Sequence, residues 1–361
     1  MGLSIGIVGM PNVGKSTLFN ALTATQAAES ANYPFCTIEP NTGIVSVPDA
    51  RLTDLAAIAK SEKIISTQLE FVDIAGLVKG ASQGEGLGNQ FLTHIREVDA
   101  IAHVVRCFED GDITHVEGSV NPLRDAEIIE TELVLSDLES VDKRMPALEK
   151  KAKGGDKVAA ETIELLKEVR VALDAGKPAR SVNKPGLKHL QLITAKPLMY
   201  VCNVKEDEAK DGNSLTKIVE EKATKEGATC VVISAKIESE IAQLGTDEEK
   251  LEFLKDIGLT ETGLSRLIRS GYKLLDLITF FTVGPKEARA WTVKRGAKAP
   301  EGAGVIHTDF EKGFIRAETI AYPDYVGLKG ESGAKDAGKL RLEGKEYVVQ
   351  DGDVMHFRFN V

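Results

Sequence analysis

Cysteine is scarce in this chain of 361 residues: there are four, Cys36, Cys107, Cys202 and Cys230, widely spaced and without a Cys-x-x-Cys pair. That argues against a thiolate metal site. Three of them fall in apolar, strand-like runs and read as buried free thiols of a reducing compartment. The six histidines are scattered with no metal-ligand spacing. No apolar run reaches roughly the 18 residues a membrane span needs, so no membrane partner is expected. The opening MGLSIGIVGMPNVGKST has neither a basic leader nor a small-residue cleavage site. A signal peptide is therefore not expected, and a lipid on Gly2 would require the strand after it to be free of the fold. The expected compartment is the cytoplasm. Repeats and low-complexity tracts are also missing.

A surplus of positive charge is missing too. The net charge is −10, which excludes a wholesale basic nucleic-acid binder; no DNA partner is expected. The charge is uneven, however. From Ile278 to Val361 there are 13 Lys/Arg against 12 Asp/Glu, a net of +1, and the preceding residues carry −11. A domain boundary is expected near there. Hydrophobic content of 42% and charged content of 28% are globular values, and the length predicts two or three domains.

Ser4 to Gly9 reads as a short buried strand and Lys15 to Thr23 as the helix after it. Strand-like runs recur at Gly43–Val47, Leu69–Asp73, Ala100–Phe108, Leu198–Val204 and Thr229–Ser234, with helical patterns between several of them. This alternation predicts an α/β domain with a largely parallel, doubly wound sheet. The middle of the chain breaks the rhythm. Val134, Leu138, Val141, Met145, Leu148 and Ala152 follow a heptad seam, Gly154-Gly155-Asp156 reads as a turn, and Thr162, Leu166, Val169 and Leu173 resume the spacing. An antiparallel helical hairpin inserted before Lys196-Pro197 is predicted. From Thr279 onward TFFTV, ARAWTV, GFIRAETI, EYVVQ and VMHFRFNV read as short strands of a small β-rich domain. The expected division is 1–277, containing the insertion 122–197, followed by 278–361.

Gly9-Met10-Pro11-Asn12-Val13-Gly14-Lys15-Ser16 fits the phosphate-loop pattern G-x-x-x-x-G-K-[ST] in its required setting, after a strand and opening a helix. The loop from Asn12 to Thr17 is expected to turn backbone N–H groups and the helix N-terminus toward phosphate oxygens. Lys15 reaches the β- and γ-phosphates, and the Ser16 hydroxyl ligates Mg²⁺. Asp73 and Gly76, in the D-x-x-G of Phe71 to Gly76, are suited to hold a Mg²⁺-bound water and to sense the γ-phosphate. Thr37, in the polar stretch Asn32 to Pro40, would complete the Mg²⁺ shell, and Phe35 beside it is placed among the nucleotide contacts. Asn203, Val204 and Glu206 stand where guanine-binding proteins carry Asn-Lys-x-Asp, and Ser234-Ala235-Lys236 where their second base loop falls. The aspartate of that motif accepts two hydrogen bonds from guanine. Glu206 is one methylene longer and Val204 replaces the stacking lysine, so ATP is expected to bind more tightly than GTP, with the Val204 backbone and Asn203 reading adenine.

Together these elements resemble the Obg-like branch of the translation-factor P-loop proteins. Asp73 to Gly88, with its spaced glycines, looks like that branch's second switch. The stretch NYPFCTIEPN, from Asn32 to Asn41, narrows the resemblance to the YchF (Obg-like ATPase) family over essentially the whole chain, as do the helical insertion and the C-terminal β domain. The resemblance implies a Ras-like P-loop NTPase domain, a coiled-coil insertion and a C-terminal TGS domain of β-grasp fold. It also implies ATP in preference to GTP, and association with ribosomes.

Two departures from ordinary GTPases bear on the chemistry. Ala75 replaces the proline of Asp-x-Pro-Gly, and Leu77 stands where many relatives carry a catalytic glutamine. A leucine cannot orient water, so slow intrinsic turnover is expected. His115, in the polar loop Glu109 to Asn121, is the candidate to position the water, and the resemblance points to the same residue; an exposed loop histidine without a role is the alternative. His94 is the runner-up. Asn12 raises the further possibility of a K⁺ ion between it and the phosphates.

Two basic clusters are candidate contacts for ribosomal RNA. One is at the hairpin tip, with Lys143, Arg144, Lys150, Lys151, Lys153 and Lys157. The other surrounds the single tryptophan, Trp291, with Lys286, Arg289, Lys294, Arg295 and Lys298. Solvated charged faces around a buried tryptophan are the alternative. A monomeric ATPase used as a slow switch is the favoured reading. The rivals are a nucleotide-gated RNA- or ribosome-binding module whose hydrolysis is incidental, and an ordinary GTPase. A metabolic kinase is disfavoured because the added domains look like interaction surfaces.

Overall fold

The computed structural model describes residues 3–29, 41–74, 87–111 and 115–360. In chain order the elements begin β1 (Ser4–Val8), α1 (Lys15–Glu29), β2 (Thr42–Ser46), α2 (Ala50–Ala59), β3 (Lys63–Ile65), β4 (Gln68–Asp73), α3 (Leu87–Glu97) and β5 (Ala100–Arg106). Then come α4 (Pro122–Lys153), α5 (Lys157–Asp174), β6 (Leu198–Asn203), α6 (Ser214–Glu226), β7 (Thr229–Ile233), α7 (Ala235–Ile241), α8 (Asp247–Asp256) and α9 (Gly263–Leu274). The last part holds β8 (Leu277–Val283), β9 (Glu287–Lys294), α10 (Ala299–Ile306), α11 (Thr308–Lys312), β10 (Phe314–Ala321), α12 (Tyr322–Gly327), α13 (Glu331–Asp336), β11 (Arg341–Glu343) and β12 (Asp353–Phe359).

The chain divides into two compact units. The first comprises Met1–Val45 and Glu70–Gly271; the second comprises Ser46–Leu69 and Tyr272–Val361. This differs from a single cut at residue 277. The segment from Ser46 to Leu69 belongs to the second unit because β3 pairs in parallel with β9, Lys63 opposite Glu287. Pairing between strands so far apart in the chain has no local signature.

The first unit is built on a sheet in the order β2-β4-β1-β5-β6-β7. β1 runs parallel to β4 and β5, β5 to β6, and β6 to β7, so their carboxyl ends meet on one side. β1 and β5 are buried along their whole length, which is why they read as unbroken apolar runs. Between β5 and β6 the chain leaves the sheet. Asn121 caps α4, accepting from the Arg124 N–H, and Pro122 starts the helix, where its missing N–H does no harm. α4 continues for 32 residues, about 48 Å. The turn Gly154-Gly155-Asp156 leads into α5, capped by Asp156. Val134, Val141, Leu166, Val169 and Leu173 form the seam, with Leu138, Met145 and Leu148 half-buried against it. Asp137, wholly buried, fastens α4 to the returning chain by accepting from the Ile193 N–H, the Thr194 N–H and the Thr194 hydroxyl.

The second unit has a sheet in the order β11-β10-β12-β8-β9-β3. Leu52, Leu55 and Ala56 of α2 pack with Phe281, Ala288, Ala290, Ile320, Tyr325 and Val354. A second cluster joins Ala299 and Ala303 of α10 to Ile278, Phe280, Val293, Met355 and Phe357. Two details correct the sequence reading. EYVVQ makes only an isolated bridge, Val348 with Lys298, and the strand is β11 instead. The reason is that the backbone around Tyr347 and Val349 bonds to Ala297 and Ala299 rather than to a ladder. The short helices α10 to α13 went unread because each is too brief to display a period.

Candidate nucleotide-binding site

The site assembles at the carboxyl ends of the parallel strands, where the order reverses beside β1. β1 delivers the loop from Gly9 to Gly14 into the start of α1, where the Leu18 N–H donates to the Gly14 carbonyl. Asn12 adopts φ 60 and Gly14 φ 97. A side chain at Gly14 would also strike the Asn203 amide, 2.3 Å from its added Cβ, so only glycine fits. Ser16 and Thr17 are exposed at the helix start, and Val13 is buried.

Lys15 is buried, and its ammonium donates to the Met10 carbonyl at 2.9 Å. Burial pushes its pKa down, against the raising effect of the Asp73 charge. Burial likewise pushes the Asp73 carboxyl up, with Lys15 opposing. Among the described residues Asp73 Oδ1 is buried without a hydrogen-bond partner. A buried carboxylate oxygen with an unmet lone pair beside a phosphate loop fits a Mg²⁺-bound water, and Ser16 offers the accompanying hydroxyl. Thr37, Phe35, Gly76 and Leu77 lie outside the described residues.

At the other end of the site Asn203 closes β6. Its Nδ2 donates to the Val13 carbonyl at 2.9 Å, and its Oδ1 accepts the Ala235 N–H at 2.9 Å. The buried amide thus ties the phosphate loop to the loop from Ser234 to Lys236. Ser234 is buried and caps α7. The Val204 N–H donates to the Ile233 carbonyl at 2.9 Å and the side chain is buried. This corrects the expectation that the Val204 N–H reads adenine: it extends the sheet. Glu206 is half-exposed and forms an ion pair with Lys236, which holds its carboxyl below the usual range.

His115 is not an exposed loop residue. It is 9% exposed, with Nε2 2.8 Å from Asp125 Oδ2, and its Nδ1 accepts the Glu117 N–H at 3.1 Å. His94 is exposed on α3 near Glu97. Sequence reasoning also missed Glu238, a buried carboxylate that accepts from the Gly263 and Leu264 N–H groups and so anchors the base-side helix α7 to α9. Asp125 and Glu238 lay in polar stretches that resemble any solvated helix, and only their burial distinguishes them.

The basic clusters differ in availability. At the hairpin tip Lys150, Lys151, Lys153 and Lys157 are exposed, while Arg144 donates to the Leu190 carbonyl and Lys143 pairs with Glu139. Around Trp291, Arg289 stacks over the indole at 4.1 Å and the ring N–H donates to the Thr282 hydroxyl at 2.8 Å. Trp291 is half-buried and also packs on the core. Arg295 and Lys298 pair with Asp276 and Glu346.

Comparison with known proteins is consistent over the full length. Residues 4–137 match a family model described as "50S ribosome-binding GTPase", and residues 277–360 match YchF-GTPase_C, described as "Protein of unknown function (DUF933)". The "Ribosome-binding ATPase YchF" of Haemophilus influenzae is 59% identical over 366 residues, all of both chains, and that of Bacillus subtilis 57% over 368. The chain belongs to the YchF family. The solved structure of the Schizosaccharomyces pombe YchF GTPase covers 99% of this chain and 98% of its own, with a TM-score of 0.88 at 40% identity. A GTP binding protein from Pyrococcus horikoshii OT3 shares the fold, with a TM-score of 0.62 at 22% identity. The YchF family membership accounts for both units at once, since the matched regions fall in each. Among the described residues no helix is long and apolar enough to cross a membrane.

Proposed function

We propose that this protein is a Mg²⁺-dependent ATPase, weaker toward GTP, that binds ribosomes and works as a slow, monomeric switch in the cytoplasm, with no DNA or membrane partner. The observation that carries the proposal is the buried Lys15 of the phosphate loop beside the half-buried Asp73, whose Oδ1 is buried and unmet. The names of the full-length relatives support the choice of ATP and ribosomes.

Ser16, Thr37 and Asp73 would hold the metal, directly or through water, and bound Mg²⁺ would neutralise charge on the β- and γ-oxygens. Lys15 turns from the Met10 carbonyl to the γ-phosphate and, with the loop amides, stabilises charge as water attacks in line. The Gly76 N–H is assigned to sense the γ-phosphate, and Phe35 is assigned to the nucleotide contacts. With leucine at position 77, His115 is assigned to the water, which requires its bond to Asp125 to break. Guanine is disfavoured because Lys236 occupies the Glu206 carboxylate that would have to accept from it; Asn203, Val204, Ser234 and Ala235 shape the base cleft. Asn12 is assigned to an accompanying K⁺.

The second unit is read as a TGS-like β-grasp domain and, with the hairpin, as a partner surface; the exposed lysines Lys150, Lys151, Lys153 and Lys157 are suited to RNA phosphates. Calorimetric titration with ATP and GTP side by side, and turnover with and without ribosomes, test the proposal. Tenfold tighter GTP binding would make the protein an ordinary GTPase. Ribosome binding without any turnover would leave a nucleotide-gated binding module.

A further inference from the structure

We propose that Asp125 is a positioning residue that keeps His115 sequestered at the root of the insertion helix α4, so that hydrolysis waits on its release. The inference rests on the reading above that His115 orients the attacking water. An Nδ1 that accepts the Glu117 N–H carries no proton, so the proton is on Nε2 and is donated to Asp125. Both ring nitrogens are thereby engaged, and the ring is buried against a carboxylate that is itself 1% exposed. In this seat the imidazole can neither accept from nor donate to a water at a γ-phosphate.

The seat is built to be left. Asp125 Oδ1 accepts from the Arg124 guanidinium, at 3.3 Å from Nε and 3.1 Å from Nη2. Asp125 also lies in the first turn of α4, where the helix N-terminus favours negative charge. When the imidazole departs, the carboxylate keeps these two compensations, so release strands no bare charge. The same helix ends at Lys150, Lys151 and Lys153 beside the hairpin turn. A polyanion bound to that end acts on the element that holds the histidine, which makes Asp125 the link between partner and chemistry.

The test uses the full chain. Asp125→Asn replaces a charge-assisted bond with a neutral one, and basal ATP turnover should rise about five- to tenfold with KM little changed. The extra stimulation by ribosomes should shrink by the same factor. His115→Ala should bring the wild-type and Asp125→Asn backgrounds to one common low rate. Nitrogen NMR of the nucleotide-free protein should find His115 in the Nε2–H tautomer, and the substitution should release it. Arg124→Gln, which leaves Asp125 more dependent on the imidazole, should move turnover the other way, down about twofold. A folded Asp125→Asn protein with turnover at or below wild type, while His115→Ala is slow, overturns the sequestration and spares the role of His115. A His115→Ala protein as fast as wild type overturns both. If Asp125→Asn does not fold, unchanged or raised turnover in Arg124→Gln overturns the proposal.

Discussion

Replacing Asn203 by alanine should loosen the nucleotide site at both ends. The side chain makes two buried bonds, to the Val13 carbonyl and from the Ala235 N–H, each 2.9 Å. Truncation leaves two backbone groups without that partner, at about 1–3 kcal/mol each when buried and unmet. Some of that is recovered if the Val13 loop shifts to find water, so a loss of about 2–4 kcal/mol is expected. The same shift unfixes the loop that cradles phosphate, and ATP affinity should fall at least about tenfold. Asn203→Asp sharpens the test. One oxygen can still accept from Ala235, but the other faces the Val13 carbonyl, two acceptors together, so this near-isosteric change should be no better tolerated than alanine. Urea denaturation followed by circular dichroism measures the stability, calorimetry the affinity, and hydrogen exchange the local loosening of β7 and the start of α7. Trp291 lies in the other unit, so its native emission should stay unchanged. An alanine variant within about 0.5 kcal/mol of wild type, with ATP affinity intact, would refute the view of Asn203 as a strut.

Gly14→Ala should abolish nucleotide binding in a protein that still folds, because φ 97 and the Asn203 amide leave no room for a methyl group; calorimetry reads this directly. Glu206→Asp with Val204→Lys should move preference toward GTP, and Lys236→Met alone should raise GTP affinity about two- to fivefold by freeing the Glu206 carboxylate. Burial pushes the imidazole of His103 down to about 3, so the native state resists a proton the unfolded chain accepts below about 6.5. Its contribution is intact above that value, and stability falls by up to about 1.4 kcal/mol per pH unit as pH drops from 6.5 toward 3; His103→Phe should flatten the profile in denaturation measured across that window. Reversing Lys150, Lys151, Lys153 and Lys157 to glutamate should weaken ribosome binding about tenfold or more and reduce its salt dependence, read by co-sedimentation at two ionic strengths. Equal turnover in K⁺ and Na⁺ buffers would remove K⁺ from the site.

The phosphate loop was legible because its chemistry is compressed into eight consecutive residues, and the strands around it because burial on both faces makes unbroken apolar runs. The hairpin was legible for a similar reason: its seam repeats every seven residues, and Pro146 lies within α4 without ending it. What escaped the sequence was long-range pairing. The assignment of Ser46 to Leu69 to the second unit depends on β3 meeting β9. The surroundings of His115 depend on Asp125, ten residues on, where a carboxylate in a first helical turn looks like an ordinary favourable end charge. The Val204 N–H was assigned to adenine because a motif position says nothing about whether the sheet already uses it.

The assembly of the second unit from two separated stretches bears on how the chain is made. As synthesis proceeds from the N-terminus, α2 emerges early, but its partners Phe281, Ala288, Ala290, Ile320 and Val354 arrive near the end. Leu52, Leu55 and Ala56 therefore remain without their native cover until about 220 further residues have been added, a loop whose closure adds only slowly to the entropy penalty but much to the delay. During that interval the nascent chain presents a small adhesive face suited to a chaperone. A deletion ending near Gly271 would leave the same face permanently bare, so a shortened protein carrying only the first unit should aggregate unless Ser46 to Leu69 is replaced by a short polar turn.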